Sequence, residues 1–178
     1  MKLPRIGLLI SARPSIASPR IQALQRGLRD LGYVEGKNII LDYRYAEGNV
    51  ESVSDLAADL VRRKVDIIVT DTSNATQAAK DATKLIPIVF TTANDPVGDG
   101  QVDSLARPGG NLTGLSILAL DLNGKRLELL KEAFPQIRTV AIVGSNLSMS
   151  RASFDDAVRN LRLNILQFSV HDLNDYRD

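Results

Sequence analysis

The segment IIVTDTSNATQAAKDA, residues Ile67–Ala82, places a short apolar run directly before a helical pattern. The run Ile67–Val69 is continuous and apolar, as in strands that are buried on both faces of a parallel sheet. The alanines that follow recur at the spacing of one helix face, which predicts a helix with small residues packed closely against that sheet. These alanines are Ala75, Ala78, Ala79 and Ala82. The segment therefore predicts one strand–helix unit of an α/β fold.

The same alternation of strand and helix patterns extends through the rest of the chain. Predicted strands are Ile6–Ile10, Ile39–Tyr45, Ile67–Val69, Ile88–Phe90, Leu112–Leu115, Thr139–Val143 and Ile165–Val170. Predicted helices are Ile21–Leu31, Val53–Val61 with Ser52 or Asn49 as its cap, Ala75–Ala82, a short Val102–Leu105, one from Leu118 or Asp121 to Ala133, and Ser153–Leu161. This alternation predicts an α/β fold with a doubly wound parallel sheet and helices on both of its faces.

The predicted elements divide the chain into two parts. Residues 1–117 hold the first five strands and are predicted to form a complete N-terminal α/β lobe. Residues 118–178 supply one helix and a single strand–helix–strand unit, which is too little to bury a core of its own. We therefore expect residues 118–178 to be the beginning of a second α/β lobe, truncated at Asp178.

Composition and missing motifs argue against several classes of function. The net charge of +1 gives no basis for binding nucleic acid, which requires a concentrated basic surface. With no cysteine and one histidine, His171, we expect no disulfide framework, metal site or histidine-based catalytic triad. Dinucleotide, P-loop and nucleophile-elbow motifs are missing, and no cofactor is expected. No apolar run reaches the roughly 18 residues of a membrane span, and the short run Ile6–Ile10 does not resemble a signal peptide.

Candidate binding residues follow the predicted strands, because ligands of open α/β sheets bind beyond the carboxyl ends of the strands. The loop after the third strand has a specific logic: Thr72, Ser73 or Asn74 can cap the next helix, whose first N–H groups attract a carboxylate or phosphate. Capping without any ligand is the alternative interpretation. Asp71 and Asp95 lie in neighbouring loops and could form a carboxylate pair for acid–base chemistry.

Four longer segments resemble the ABC transporter substrate-binding protein family, which includes tryptophan- and tyrosine-type binding proteins. They are GLRDLGYVEGKNIILDYRYAEG (Gly27–Gly48), LAADLVRRKVDIIVT (Leu56–Thr70), AAKDATKLIPIVFTTANDPVGDGQVDSLARPGGNLTGLS (Ala78–Ser116) and GKRLELLKEAFPQIRTVAIV (Gly124–Val143). The resemblance covers nearly the whole chain. It implies a type I periplasmic binding protein, in which two Rossmann-like lobes joined by hinges enclose a small organic solute such as an amino acid.

The resemblance also implies a location, partners and a set of ligand-binding residues. Such a protein is periplasmic or extracytoplasmic, delivers its ligand to the membrane permease of an ABC transporter, and is not an enzyme. The implied ligand-binding residues are Ser11, Ala12, Thr72, Ser73, Asn74, Ala75, Thr92, Asn94 and Asp95, faced by Ser145 and Asn146 of the second lobe. Asp95 could accept a hydrogen bond from the ligand, or it could only order the turn before Pro96.

Two alternative functions are left open by the residues themselves. One is the ligand-sensing α/β domain of a regulator, which would share the fold. The other is a small α/β enzyme that uses Asp71 and Asp95.

Overall fold

A computed structural model describes residues 3–117, 122–144 and 152–169 of the chain. The chain divides into two units, Met1–Ile117 and Leu118–Asp178, each of which is described by itself. The strands of the first unit are β1 (Arg5–Ile10), β2 (Ile40–Tyr45), β3 (Ile67–Thr70), β4 (Ile88–Ala93) and β5 (Leu112–Ser116). Its helices are α1 (Pro14–Asp30), α2 (Ser52–Arg62) and α3 (Ser73–Ala82).

The five strands form one parallel sheet in the order β2-β1-β3-β4-β5. The predicted α/β class with a parallel sheet is confirmed. Strand β1 has β2 on one side and β3 on the other, so the strand order reverses at β1. In sheets of this type the loops after the strands at the reversal diverge and leave a crevice.

Apolar clusters on the two faces of the sheet hold the helices in place. Leu9 belongs to the cluster that contains Leu60 of α2 and Ala79 of α3, whereas Leu8 belongs to the cluster that contains Ala17 of α1. Adjacent residues of a strand point to opposite faces, which is why Leu8 and Leu9 belong to different clusters. Ala75 and Ala79 are fully buried, so the predicted small-residue face of α3 does pack on the sheet.

The predicted helix at Val102–Leu105 is wrong. The backbone N–H groups of Gln101 and Val102 both donate to the carbonyl of Pro96, at 2.8 and 3.0 Å, and this closes a turn instead of extending a helix. Gly100 has a φ of 67°, a left-handed conformation that interrupts helical geometry. The apolar pattern at this position reflects the burial of the Val102 side chain and not a helix face.

The predicted caps of α2 are also wrong. The N-cap residue is Glu51, whose side chain makes no capping hydrogen bond. Asn49 accepts the backbone N–H of Glu51 at 3.0 Å, which orders the turn before the helix. The hydroxyl of Ser52 donates to the carbonyl of Asn49 at 2.9 Å and is directed away from the helix.

The second unit contains two helices and two parallel strands. They are α4 (Asn123–Ala133), β6 (Thr139–Gly144), α5 (Ala152–Asn160) and β7 (Asn164–Ser169). Leu127 of α4 packs with Phe154 of α5 in a small apolar cluster. Phe134 is 60% exposed, because it is the C-cap of α4 and its backbone leaves helical geometry. The predicted helix starts, Leu118 and Asp121, and the predicted strand end, Val170, lie outside the described residues.

Strand β5 depends on a glycine at position 114. A β-carbon at Gly114 would lie 2.1 Å from the carbonyl oxygen of Phe90 and 2.5 Å from the ring of Phe90. We therefore expect Gly114→Ala to lower the free energy of unfolding by about 1–3 kcal/mol through overpacking, as measured by urea denaturation. The matched control is Gly27→Ala, at an exposed position of α1 where nothing lies within 4 Å of the added carbon. It should raise stability by about 0.5–1 kcal/mol. Equal effects at the two positions would contradict this account.

One carboxylate, Asp59 of α2, is surrounded by three guanidinium groups. It accepts hydrogen bonds from Arg44 of β2 at 2.6 Å, from Arg63 at 2.8 Å and from Arg62 at 3.3 Å. Hydrogen bonds from Arg44 and Arg63 lower the pKa of Asp59 from 3.8 to about 2. The cluster connects α2 to β2 at the edge of the sheet.

The contribution of Asp59 to stability should be lost in acid. Because its pKa is lower in the folded chain than in the unfolded one, the contribution is complete above about pH 4 and is lost as the pH falls towards 2. Thermal unfolding should therefore separate the wild type from Asp59→Asn at pH 6 but not at pH 2. Asp81→Asn is the control, because Asp81 of α3 accepts a hydrogen bond from the neutral amide of Gln77. A gap between wild type and Asp59→Asn that persists unchanged at pH 2 would refute the assignment.

Candidate functional site

The candidate site lies where the strand order reverses, at the carboxyl ends of β1 and β3. Ser11 follows β1, and its hydroxyl lies 2.7 Å from the hydroxyl of Thr72, which follows β3. The backbone N–H of Ser11 also donates to the carboxylate of Asp71 at 2.8 Å. These contacts join two loops that are about sixty residues apart in the sequence. The loops are neighbours because β1 and β3 pair in parallel, which places their carboxyl ends side by side.

Thr72 is the residue that caps α3. Its backbone is extended, with φ −147° and ψ 162°, and its hydroxyl oxygen accepts the N–H of Ala75 at 3.2 Å. Of the three predicted caps, the structure selects Thr72. The N–H of Thr76 donates to the carbonyl of Thr72 at 2.9 Å, so two amides of the first turn are directed to this one residue.

Two buried threonines, Thr70 and Thr76, are linked to Thr72 by a chain of hydrogen bonds. The hydroxyl of Thr76 donates to the carbonyl of Thr72 at 2.8 Å and lies 2.7 Å from the hydroxyl of Thr70. Because a hydroxyl has a single proton and that of Thr76 is used on Thr72, Thr70 is the donor to Thr76. Both side chains are at most 1% exposed, so this chain of hydrogen bonds forms in an environment without competing water.

The first turn of α3 offers backbone amides to an anion. The N–H groups of Ser73 and Asn74 lie too close to the helix start to have intrahelical acceptors, whereas that of Ala75 is used by Thr72. The first turn contains no acidic residue to neutralise the positive end of the helix dipole. Ser73 is half-buried and Asn74 is exposed, so a small anion can reach this turn.

A hollow of about 110 Å³ lies beside the start of α3. Its polar wall is formed by Ser11, Thr72 and Asn74. The family resemblance implies that these three residues bind the ligand. The rest of its lining comes from the end of β2 and the start of α2, through Ala46, Gly48, Asn49, Val50 and Val53. The structure thus places hydroxyl, amide and apolar groups around one small cavity.

The remaining predicted residues have other surroundings. Ala12 packs against the apolar cluster beneath α1. Thr92 lines a separate cavity of about 320 Å³ between α1 and the sheet. Asn94 is exposed, and Asp95 accepts the backbone N–H of Gly98 at 2.8 Å, which orders the turn that follows Pro96. The two residues expected from the second lobe, Ser145 and Asn146, lie outside the described residues.

Three polar residues of the site were missed by the sequence analysis. Thr76 lies four residues after Thr72, a helical spacing that could have suggested their contact. Thr70 ends β3 and could have been recognised as a polar residue in an otherwise apolar strand. Gln101 donates its side-chain amide to the carbonyl of Ser73 at 2.8 Å, but no local pattern connects residues 28 positions apart.

The described ranges contain no group of three or more His, Cys, Asp or Glu side chains that could hold a metal ion. Within the same ranges, no helix is both long and apolar enough to cross a membrane.

The two acids considered for catalysis are Asp71 and Asp95. Asp71 accepts the backbone N–H of Ser11, and Asp95 accepts the backbone N–H of Gly98. Both carboxylates thus have a structural role in ordering a loop.

The chain belongs to the ABC transporter substrate binding protein family, whose sequence profile matches residues 12–177. This confirms the resemblance seen in the sequence. Solved structures of similar fold align with nearly the whole chain. A conserved domain protein from Vibrio cholerae is 30% identical with a TM-score of 0.79 over 95% of this chain. A domain from Streptococcus pneumoniae in complex with L-Trp is 25% identical with a TM-score of 0.77, also over 95% of this chain.

These relatives are longer than the present chain. The tyrosine-binding protein of Clostridioides difficile is 38% identical over 119 residues, which are 66% of this chain and 34% of the relative. Each of the two solved structures is covered over 58% of its own length. The chain therefore spans between one third and three fifths of the length of the relatives it matches.

Removing the Thr72 hydroxyl should destabilise the first unit. Thr72→Val keeps the shape of the side chain but loses the cap on Ala75 and the contact with Ser11. We expect a loss of about 1–2 kcal/mol in the free energy of unfolding, measured by urea denaturation. Thr72→Ser retains the hydroxyl and should lose less than half as much. If the valine and serine variants were equally stable, the hydroxyl would not be the stabilising group.

Proposed function

We propose that this chain is part of the extracytoplasmic solute-binding component of an ABC importer, and that it binds an amino acid or a similar small carboxylate. The observation that carries the proposal is the open first turn of α3, held at the strand reversal by the Ser11–Thr72 contact. Family membership supports solute binding, and the printed names of two relatives refer to tyrosine and L-Trp. In both of those ligands a carboxylate accompanies an aromatic side chain.

The proposed roles follow from the geometry of the site. The N–H groups of Ser73 and Asn74 bind the ligand carboxylate, assisted by the positive end of the α3 dipole. The hydroxyls of Ser11 and Thr72 orient it. The hollow lined by Val50 and Val53 receives an apolar part of the ligand. Hydrophobic burial and a few directed polar groups together give affinity and specificity.

The other residues predicted from the sequence have supporting roles in this proposal. Thr92, Asn94 and Asp95 add polar groups after β4, outside the hollow, with Asp95 also ordering its own turn. Residues 1–117 form the carboxylate-binding lobe, and residues 118–178 begin the second lobe, to which Asn146 belongs. The partner is the membrane permease of the transporter, which receives the ligand from the binding protein.

Two alternatives were left open by the sequence, and family membership favours solute binding over both. A regulator domain would have the same fold, so the fold itself does not discriminate between them. An enzyme would require Asp71 and Asp95 for acid–base chemistry, whereas each of these carboxylates accepts a backbone N–H.

The proposed anion site can be tested by adding a negative charge within it. Asn74→Asp places a carboxylate in the first turn of α3, where it interacts favourably with the helix dipole and repels a ligand carboxylate. We expect thermal stability to rise slightly while affinity for L-tyrosine and L-tryptophan, measured by isothermal titration calorimetry, falls at least about tenfold. Opposite changes in stability and affinity cannot arise from misfolding.

The control for net charge is Gln22→Glu, on the exposed surface of α1, which should leave both affinities unchanged. Tyramine and tryptamine, which lack the carboxylate, should bind more weakly than the amino acids to the wild type. If Asn74→Asp bound both amino acids as tightly as the wild type, the carboxylate would not lie at α3. If the wild type bound no amino acid or small carboxylate, the proposed function itself would be wrong.

A further inference from the structure

The segment that follows β4 lies along α3 and is attached to it at two positions. Gln101 donates its side-chain amide to the carbonyl of Ser73, in the first turn of α3, at 2.8 Å. Lys80 of α3 donates its ammonium group to the carbonyl of Gly100 at 2.6 Å. Neighbouring residues of one segment are thus bonded to the two ends of one helix. Only the bond from Gln101 reaches the turn that carries the candidate anion site.

Gln101 is an unusual residue for a buried position. Its side chain is 4% exposed, and its amide oxygen, Oε1, has no hydrogen-bond partner among the described residues. The orientation of the amide follows from its contact: a carbonyl can only accept, so the NH₂ group must face Ser73. A buried acceptor without a partner costs stability, and an apolar side chain of the same length would avoid that cost. The amide therefore has a role that packing alone does not supply.

The bond to Ser73 restrains a particular peptide group. The carbonyl of Ser73 and the N–H of Asn74 belong to the same peptide unit, which is planar and trans, so the two groups point in opposite directions. Holding the Ser73 carbonyl with Gln101 therefore fixes the direction of the Asn74 N–H. That N–H is one of the two amides proposed to bind the ligand carboxylate. Preorganised donors bind better because they lose less conformational freedom on binding.

We propose that Gln101 is a positioning residue for the ligand site, which orients the Ser73–Asn74 peptide group without touching the ligand. The inference rests on the proposed function, since the peptide group matters only if the start of α3 binds an anion. It also gives the segment after β4 a role in ligand binding. Through Gln101 the segment after β4 and the start of α3 form one rigid wall of the site.

The test compares Gln101→Met with Lys80→Met. Methionine at position 101 keeps the length of the side chain but removes both the bond to Ser73 and the unpartnered oxygen. We expect a change of less than about 3 °C in melting temperature and a loss of about tenfold in affinity for L-tyrosine and L-tryptophan, measured by calorimetry. Lys80→Met removes the other attachment of the same segment and should leave both affinities within about twofold of the wild type.

Hydrogen exchange gives a readout that does not depend on any ligand. In Gln101→Met the amides of Ala75 and Thr76 should exchange at least about fivefold faster than in the wild type, because the first turn opens more often. In Lys80→Met they should not change. Gln101→Leu is a second variant, which has no group that can donate to the Ser73 carbonyl and should accelerate exchange to a similar extent.

The outcomes separate this inference from the proposed function. Faster exchange with weaker binding in Gln101→Met, and neither change in Lys80→Met, supports the positioning role. Unchanged exchange at Ala75 and Thr76 in both Gln101 variants overturns it, whatever the affinities are. Equal loss of affinity in Gln101→Met and Lys80→Met also overturns it, because the segment would then act only as packing. A wild type that binds no amino acid or small carboxylate removes the site that Gln101 would position, and refutes the inference together with its premise.

Discussion

The candidate site depends on the two hydrogen bonds made by the hydroxyl of Thr72. It accepts the N–H of Ala75, which begins α3, and it pairs with the hydroxyl of Ser11, which follows β1. One oxygen atom therefore both starts a helix and joins the loops of two neighbouring strands. The backbone carbonyl of the same residue accepts the hydroxyl of Thr76, which restrains the Thr72 backbone. The start of α3 and the candidate ligand site therefore both depend on the contacts of one residue.

Much of the fold could be predicted from local sequence patterns, because those patterns reflect packing between neighbours. The buried run at Ile67–Val69 and the alanine face of α3 indicated a strand and a helix packed on it, and both are present. The predicted helix at Val102–Leu105 was wrong because Val102 is buried as part of a turn, in which the N–H groups of Gln101 and Val102 donate to the Pro96 carbonyl. Apolar spacing alone does not reveal where backbone hydrogen bonds go.

The candidate site was predictable only in part, for a related reason. The loops were identified by the rule for open sheets, and capping chemistry reduced the choice at α3 to three residues. Contacts between Ser11 and Thr72, or between Gln101 and Ser73, join residues 61 and 28 positions apart. Such contacts exist only after the strands have taken their order in the sheet. Sequence spacing therefore indicated the loops but not the hydrogen bonds that organise them.

The proposed site attracts an anion with neutral groups, which has consequences for selectivity. A buried guanidinium would have to lose its hydration before binding a carboxylate, whereas the α3 amides are already oriented and carry only partial charge. In the proposed site the amides bind the acid group, and the hollow beside them receives part of the rest of the ligand. The hollow is lined by residues after β2, including Ala46 and Val53, whereas the amides belong to α3. If this proposal holds, we expect changes in the β2–α2 segment to alter the preferred side chain of the ligand while the carboxylate contacts at α3 remain the same.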